Sequence, residues 1–161
     1  NEPLGHAGYL HYRGELLRDG VDLYEVRAKP GSPRGSAQPL WLSSYGNYSL
    51  HTKLFVFDRQ RIFISSMNYD QRSLHLNTEL GLMIASPELA QQGLRFFDAL
   101  TQPLNAYHVT LEKKADSDAQ RVVWHTEENG RPVDYDREPA KSEWQRLKIH
   151  LFALLPLDSE L

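Results

Sequence analysis

His51 and Lys53 stand two residues apart at the head of an apolar run, HTKLFVFD. The run closes on Asp58, turns through Arg59-Gln60-Arg61 and returns as IFISSMN, which ends in Ser65, Ser66 and Asn68. Glu79 follows in NTELGLMIA, with Asn77 just before it. These residue types suit transfer at a phosphate ester. A lysine ammonium and an asparagine carboxamide, helped by a serine hydroxyl, can hold non-bridging phosphate oxygens and stabilise charge developing on them. A neutral imidazole can attack phosphorus and carry the group as a phosphohistidine. A carboxylate can accept a hydrogen bond from the second ring nitrogen and fix its tautomer. Lys53, Ser66 and Asn68 are therefore candidate phosphate ligands, His51 the candidate catalytic group and Glu79 its expected orienting partner. Lys53 and Asn68 can neutralise a phosphate without a metal, and no tight carboxylate cluster lies near His51 in sequence. Neither a metal nor another cofactor is expected.

The elements that must position these groups read as a hairpin. Residues 53 to 58 and 61 to 66 are rich in aromatic and β-branched side chains, as strands are. Alternation along a strand puts His51 with Lys53, and Ser66 with Asn68. Pairing the two strands should bring all four to one end of a sheet, where Glu79 and Asn77 can join them. Continuous apolar strands are usually covered on both faces, as in α/β proteins.

Around the hairpin, residues 6 to 18 read as a helix stopped by Asp19-Gly20, and residues 21 to 28 as a strand. Residues 29 to 39, KPGSPRGSAQP, are a cationic loop by composition. Residues 77 to 85 are a further strand candidate. Ser86-Pro87-Glu88 then opens a helix that runs to about Leu100. Two more strand segments follow Pro103, with Asn129-Gly130 as a hairpin signal. Residues 142 to 155 have helical apolar spacing that ends at Pro156. The 161 residues are expected to form a single domain, with 104–161 as its C-terminal strand and helix extension.

Composition narrows the classes. Hydrophobic residues make up 40% and charged residues 24%, as in ordinary globular domains. The net charge of -3 offers no general attraction to nucleic acid or anionic lipid, so such binding would need a local patch. With no cysteine, disulfides, thiolate zinc sites and a cysteine nucleophile are excluded. No apolar run reaches the length of a spanning helix. The N-terminus lacks the features of a signal peptide and opens without Met, directly into helix-like sequence. That opening suggests a piece of a longer protein.

The pattern His51, Lys53, Asp58, Ser65, Ser66, Asn68 resembles the HKD motif of the phospholipase D superfamily. Chance occurrence of His, Lys, Asp, Ser and Asn at this spacing is on the order of one in ten thousand, so the pattern is read as a motif. The family usually has Gly where this chain has Ser65. Downstream, Asn68, Asp70, Arg72, Ser73, Asn77 and Glu79 resemble the N-x-D-x-R-S-x-x-x-N-x-E run of bacterial cardiolipin synthases. The resemblance covers nearly the whole chain, and its HKD core is the specific part.

The resemblance implies an α/β phospholipase D-like domain, a mixed β-sheet flanked by helices on both faces. It implies phosphatidyl transfer through phosphohistidine, with two HKD motifs facing across one active site. One histidine is then nucleophile and the other general acid-base. This chain has one motif. The expected partner is the N-terminal half of a two-motif parent, or a second copy as in homodimeric phosphodiesterases of the superfamily. His51 is catalytic in either case, in a role left open, and the third reading is a non-catalytic module. Asp58 is placed with the motif but reads as a structural ion-pair residue beside Arg59 and Arg61. Asp70 and Arg72 read as a turn-stabilising pair. The substrate would be a phospholipid, and the protein would be peripheral to the bacterial inner membrane or cytoplasmic, with the net charge arguing against nucleic acid. The 29–35 loop could meet an anionic headgroup or be a plain linker. The 142–155 helix, with Trp144, Arg146, Lys148 and Phe152, suits a membrane surface or a place packed on the sheet. The remaining histidines show no metal-ligand spacing and read as surface or packing residues.

Overall fold

A computed structural model describes residues 3–27, 50–68, 73, 75–114 and 117–139, with side chains from residue 9 onward. The cationic loop, the Asp70-Arg72 pair and the 142–155 segment lie outside the described residues. In chain order the elements are α1 (Pro3–Arg18), β1 (Leu23–Val26), β2 (Leu54–Phe57), β3 (Arg61–Ser65), β4 (Gly81–Ala85), α2 (Pro87–Leu100), β5 (Ala106–Lys113), β6 (Gln120–Glu128) and β7 (Arg131–Tyr135). The described residues fall into two compact units, one of 3–27 with 101–139 and one of 50–100.

The first unit is a four-stranded sheet in the order β1-β5-β6-β7, antiparallel throughout, with α1 against β5. Pro3 starts α1, where a missing amide costs nothing. The helix stops at Gly20, whose φ of 83° only glycine adopts freely. Gly20 N bonds Leu17 O and Val21 N bonds Leu16 O, the paired bonds of a Schellman cap. The expected stop at Asp19-Gly20 is therefore real. The Asn129-Gly130 turn, with φ of 52° and 75°, joins β6 to β7 in the backbone hand that suits a tight hairpin.

Side-chain alternation separates this sheet into two faces. On one, Glu25 accepts hydrogen bonds from Tyr9 Oη (3.2 Å), Arg13 Nη1 (3.2 Å) and Trp124 Nε1 (2.9 Å). Arg13 also reaches Glu138 Oε2 at 3.3 Å and stacks 4.8 Å above the Trp124 ring. Charges this sheltered are tolerated because each has partners. On the other face, His108 lies opposite His125. His125 Nδ1 is 2.8 Å from Asp134 Oδ1, and Nε2 is 2.8 Å from Thr110 Oγ1. The carboxylate can only accept, so Nδ1 carries a proton.

The second unit holds the motif. Its three strands run in the order β2-β3-β4, again antiparallel, with Leu54 opposite Ile64 and Ser65 opposite Gly81. Helix α2 packs on β2 and β3. Gly93 makes that approach close: a Cβ there would lie 3.1 Å from both Ile62 Cδ1 and Val56 Cγ2. Ile62 is buried beneath it, worth about 1.5–3 kcal/mol of apolar transfer. Ser86 caps the helix as expected, its Oγ accepting from Leu89 N at 3.2 Å.

Several expectations are corrected. The sheet is not mixed: every described strand pair is antiparallel, and there are two sheets. The described residues put a helix on one face of the motif sheet. Its other face carries Phe55 and Phe63, in contact at 5.9 Å between centroids, and the exposed Phe57 and Met83. The strand expected over 77–85 begins only at Gly81. Among the described residues β5–β7 pair with β1 in a sheet of four.

Candidate active site

The hairpin places the candidate residues through its register. Ser65 N bonds Lys53 O at 3.1 Å, which continues the β2–β3 ladder one step past Leu54 and Ile64. His51 and Lys53 thus leave β2 at the end where β3 finishes. Beyond Ser65 the chain bends, and Ser66 N bonds Leu80 O at 2.9 Å, tying that bend to the entry of β4. The expected convergence at one end of the sheet is what the backbone shows.

The side chains sort into two groups. His51, Lys53 and Asn68 line one cleft of about 220 Å³, together with Leu50, Phe55 and Met67. Within it Lys53 Nζ lies 2.6 Å from His51 Nε2. An ammonium has no lone pair, so the ring nitrogen accepts, and a neutral His51 then carries its proton on Nδ1. Ser66 and Glu79 form the second group, with Ser66 Oγ 2.5 Å from Glu79 Oε2. The same hydroxyl accepts from Leu80 N at 3.1 Å. Neither residue is among those lining the cleft.

The bend after Ser65 accounts for the split: Ser66 is held at the entry of β4 by Glu79 and Leu80, while Asn68 beyond it reaches the cleft, which Thr52 and Leu54 also line. The expected bond from Glu79 to the His51 ring is not what the structure has. Glu79 receives the Ser66 hydroxyl, and Lys53 is the group beside the His51 ring.

Asp58 is elsewhere. It sits in the turn at the far end of β2, roughly 23 Å of extended chain from His51. Asp58 and Arg59 both have positive φ, 52° and 59°, and Gln60 N bonds Phe57 O at 3.0 Å. This is a type I′ turn, where Asp is favoured among non-glycine residues. No ion pair joins Asp58 to Arg59 or Arg61 among the described residues. The backbone places it in the turn, away from the His51 cleft.

Ser65, the departure from the usual glycine, has an ordinary backbone, since Asp58, Arg59 and Asn129 are the described non-glycine residues with positive φ. Its buried hydroxyl has no hydrogen-bond partner among the described residues. The glycine this pair of strands needs is on the opposite one. A Cβ at Gly81 would collide with the Phe63 ring and lie 3.2 Å from Ser65 Cβ.

Sequence reasoning quoted Ser73 but gave it no place in the site. It is 5% exposed, and its Oγ accepts from Asn68 N at 3.3 Å and Asn77 Nδ2 at 3.4 Å. A serine inside a polar run carries no sign of burial, so only its position in the N-x-D-x-R-S run could have marked it. No group of His, Asp and Glu suited to a metal occurs among the described residues.

Comparison with known proteins places this arrangement. The family model for the cardiolipin synthase phospholipase D-like domain matches residues 4–101, which include the whole motif unit. Cardiolipin synthase C of Escherichia coli K12 is 36% identical over 155 residues, covering 95% of this chain and 31% of that protein. An uncharacterized protein of Helicobacter pylori J99 is 28% identical over 156 residues, 94% of this chain and 28% of its own length. The chain thus spans about a third of the length of these relatives. No solved structure matches it. With the family model spanning more than half its length, the chain belongs to the phospholipase D superfamily, as a cardiolipin synthase-like domain.

Proposed function

We propose that this chain supplies one half-site of a phosphatidyltransferase that moves a phosphatidyl group from one phospholipid to the hydroxyl of another, as a cardiolipin synthase does. The observation that carries the reading is the cleft shared by His51, Lys53 and Asn68, in which Lys53 Nζ is 2.6 Å from His51 Nε2. A phosphodiester bound there would draw the Lys53 ammonium onto its non-bridging oxygens, with the Asn68 carboxamide as second donor, and leave Nε2 facing phosphorus or the leaving oxygen. Ser66 and Glu79 would brace the floor of the site from the neighbouring strand.

The reaction takes two steps. One histidine attacks phosphorus, the P–O bond to the leaving alcohol breaks, and a second histidine gives that alcohol its proton. The acceptor hydroxyl then returns a proton to the second histidine and attacks phosphorus, and the P–N bond breaks. His51 fills one role. Relatives three times as long support a parent protein whose other part supplies the second histidine. A second copy of this chain is the other source. The parent would act at a membrane surface, where its lipid substrates lie. No helix among the described residues is long and apolar enough to cross a membrane.

The test is transfer between two phospholipids by the parent protein, wild type against His51→Ala, with product read by mass spectrometry. Loss of product in the variant, with the fold intact, supports the reading. Substantial residual transfer removes His51 from the chemistry.

A further inference from the structure

We infer that Ser73 is a positioning residue that holds Asn68 at the phosphate site, an inference resting on the role of that site proposed above. Asn68 has a demanding task. It lines the cleft from a bend beyond the end of β3, where no ladder hydrogen bond of the sheet fixes its backbone. It is exposed, and its side chain is short, so the direction of the carboxamide depends on the local backbone.

Ser73 provides what the sheet does not. Its hydroxyl is buried and lies between the two ends of the 68–77 segment, taking the Asn68 amide hydrogen at 3.3 Å and the Asn77 side-chain amide at 3.4 Å. One oxygen with two lone pairs accepts both donors. Asn77 leads in turn to Glu79 and Leu80, which bond Ser66. The hydroxyl thus ties the residue that enters the cleft to the strand that anchors the bend. A donor meant for a developing oxyanion must be held in place before the reaction, and misplacement by about 1 Å can cost about 100-fold.

Ser73→Ala removes the acceptor and leaves volume and backbone nearly unchanged. The expected result, measured on the parent protein with a phospholipid donor, is a kcat lowered about 10- to 100-fold with KM within about twofold. Ser73→Thr, which keeps the oxygen, should recover most of the rate. Amide exchange read by mass spectrometry should quicken at Asn68 in Ser73→Ala and not in β2 or β3. A wild-type parent without transferase activity would defeat the functional reading. An active parent whose Ser73→Ala variant keeps its kcat would defeat the positioning role alone. So would a variant that loses rate along with protection across β2 and β3, because that outcome marks a plain structural residue.

Discussion

Lys53 Nζ lies 2.6 Å from His51 Nε2, so the ammonium occupies the lone pair that the chemistry needs. Each group is the other's partner. A phosphodiester exchanges this contact for two better ones, because its anionic oxygens are stronger acceptors for the ammonium than an imidazole is. For the parent protein, Lys53→Ala is expected to lower kcat by roughly 100- to 1,000-fold, the cost of one donor to a developing oxyanion. Circular dichroism and melting temperature should stay unchanged, since the side chain stands in an open cleft. In Lys53→Met, nitrogen-15 shifts of His51 should show more of the Nε2–H tautomer than in wild type, and an unaltered tautomer ratio would argue against the contact.

The two ends of the hairpin should respond in opposite ways. Asn68→Ala is expected to abolish most activity and Asp58→Asn to leave it within about twofold. Asparagine accepts the positive φ that Asp58 adopts, so the turn and the stability are retained. Parallel kinetics and denaturant melts check both. Loss of activity in Asp58→Asn would mean that the turn communicates with the cleft.

Glycines at close approaches give a stability test of the motif unit. Gly93→Ala puts a methyl group 3.1 Å from Ile62 and Val56, and the overpacking cost of about 1–3 kcal/mol is set against about 1 kcal/mol of helix propensity gained. Gly81→Ala meets the Phe63 ring and should cost at least as much. Urea melts measure both. If Gly81→Ala is as stable as wild type, the motif sheet is looser than described.

In the first unit, Tyr9 ties pH to stability. Burial, and next the nearby Glu25 carboxylate, hold the Tyr9 phenol well above its ordinary range. Burial raises Tyr107 and the hydrogen bond to Glu128 raises Tyr135. A group with a raised folded value favours the folded state while protonated. That contribution is therefore complete below about pH 10, where an unfolded tyrosine titrates, and is lost as pH climbs further. Tyr9→Phe should cost about 1 kcal/mol at pH 7 through the lost bond to Glu25. It should also flatten the alkaline fall in stability, and an unchanged alkaline slope would count against Tyr9 as its source. Arg13→Met should be more severe, about 3–5 kcal/mol, because Glu25 and Glu138 lose a shared cation in a sheltered place.

Much of this was legible in the sequence for local reasons. The hairpin showed in its aromatic and β-branched runs, α2 in its Ser-Pro-Glu start, β6–β7 in Asn-Gly, and the end of α1 in Asp-Gly. Each is a signal written within a few residues. The resemblance to the family was carried by the types and spacing of the motif residues, and the family model and the relative from Escherichia coli bear it out. What failed was long-range. Nothing near β1 says that Leu23 will pair with Val109 and not with the motif strands, so one mixed sheet was expected where two antiparallel sheets stand. The site showed the same limit. Residue type and spacing picked out His51, Lys53, Ser66, Asn68 and Glu79 as candidates, but could not say that Glu79 would take the Ser66 hydroxyl at the entry of β4 and Lys53 the place beside the His51 ring. Asp58 was grouped with the motif by spacing, and only the backbone angles reveal it as a turn residue.

The most direct test of the central claim is phosphatidyl transfer between phospholipid molecules by the parent protein carrying His51→Ala, beside wild type, with both folds verified by circular dichroism. The account predicts transfer by the wild type and none above background in the variant. A well-folded His51→Ala protein that transfers at the wild-type rate would contradict it.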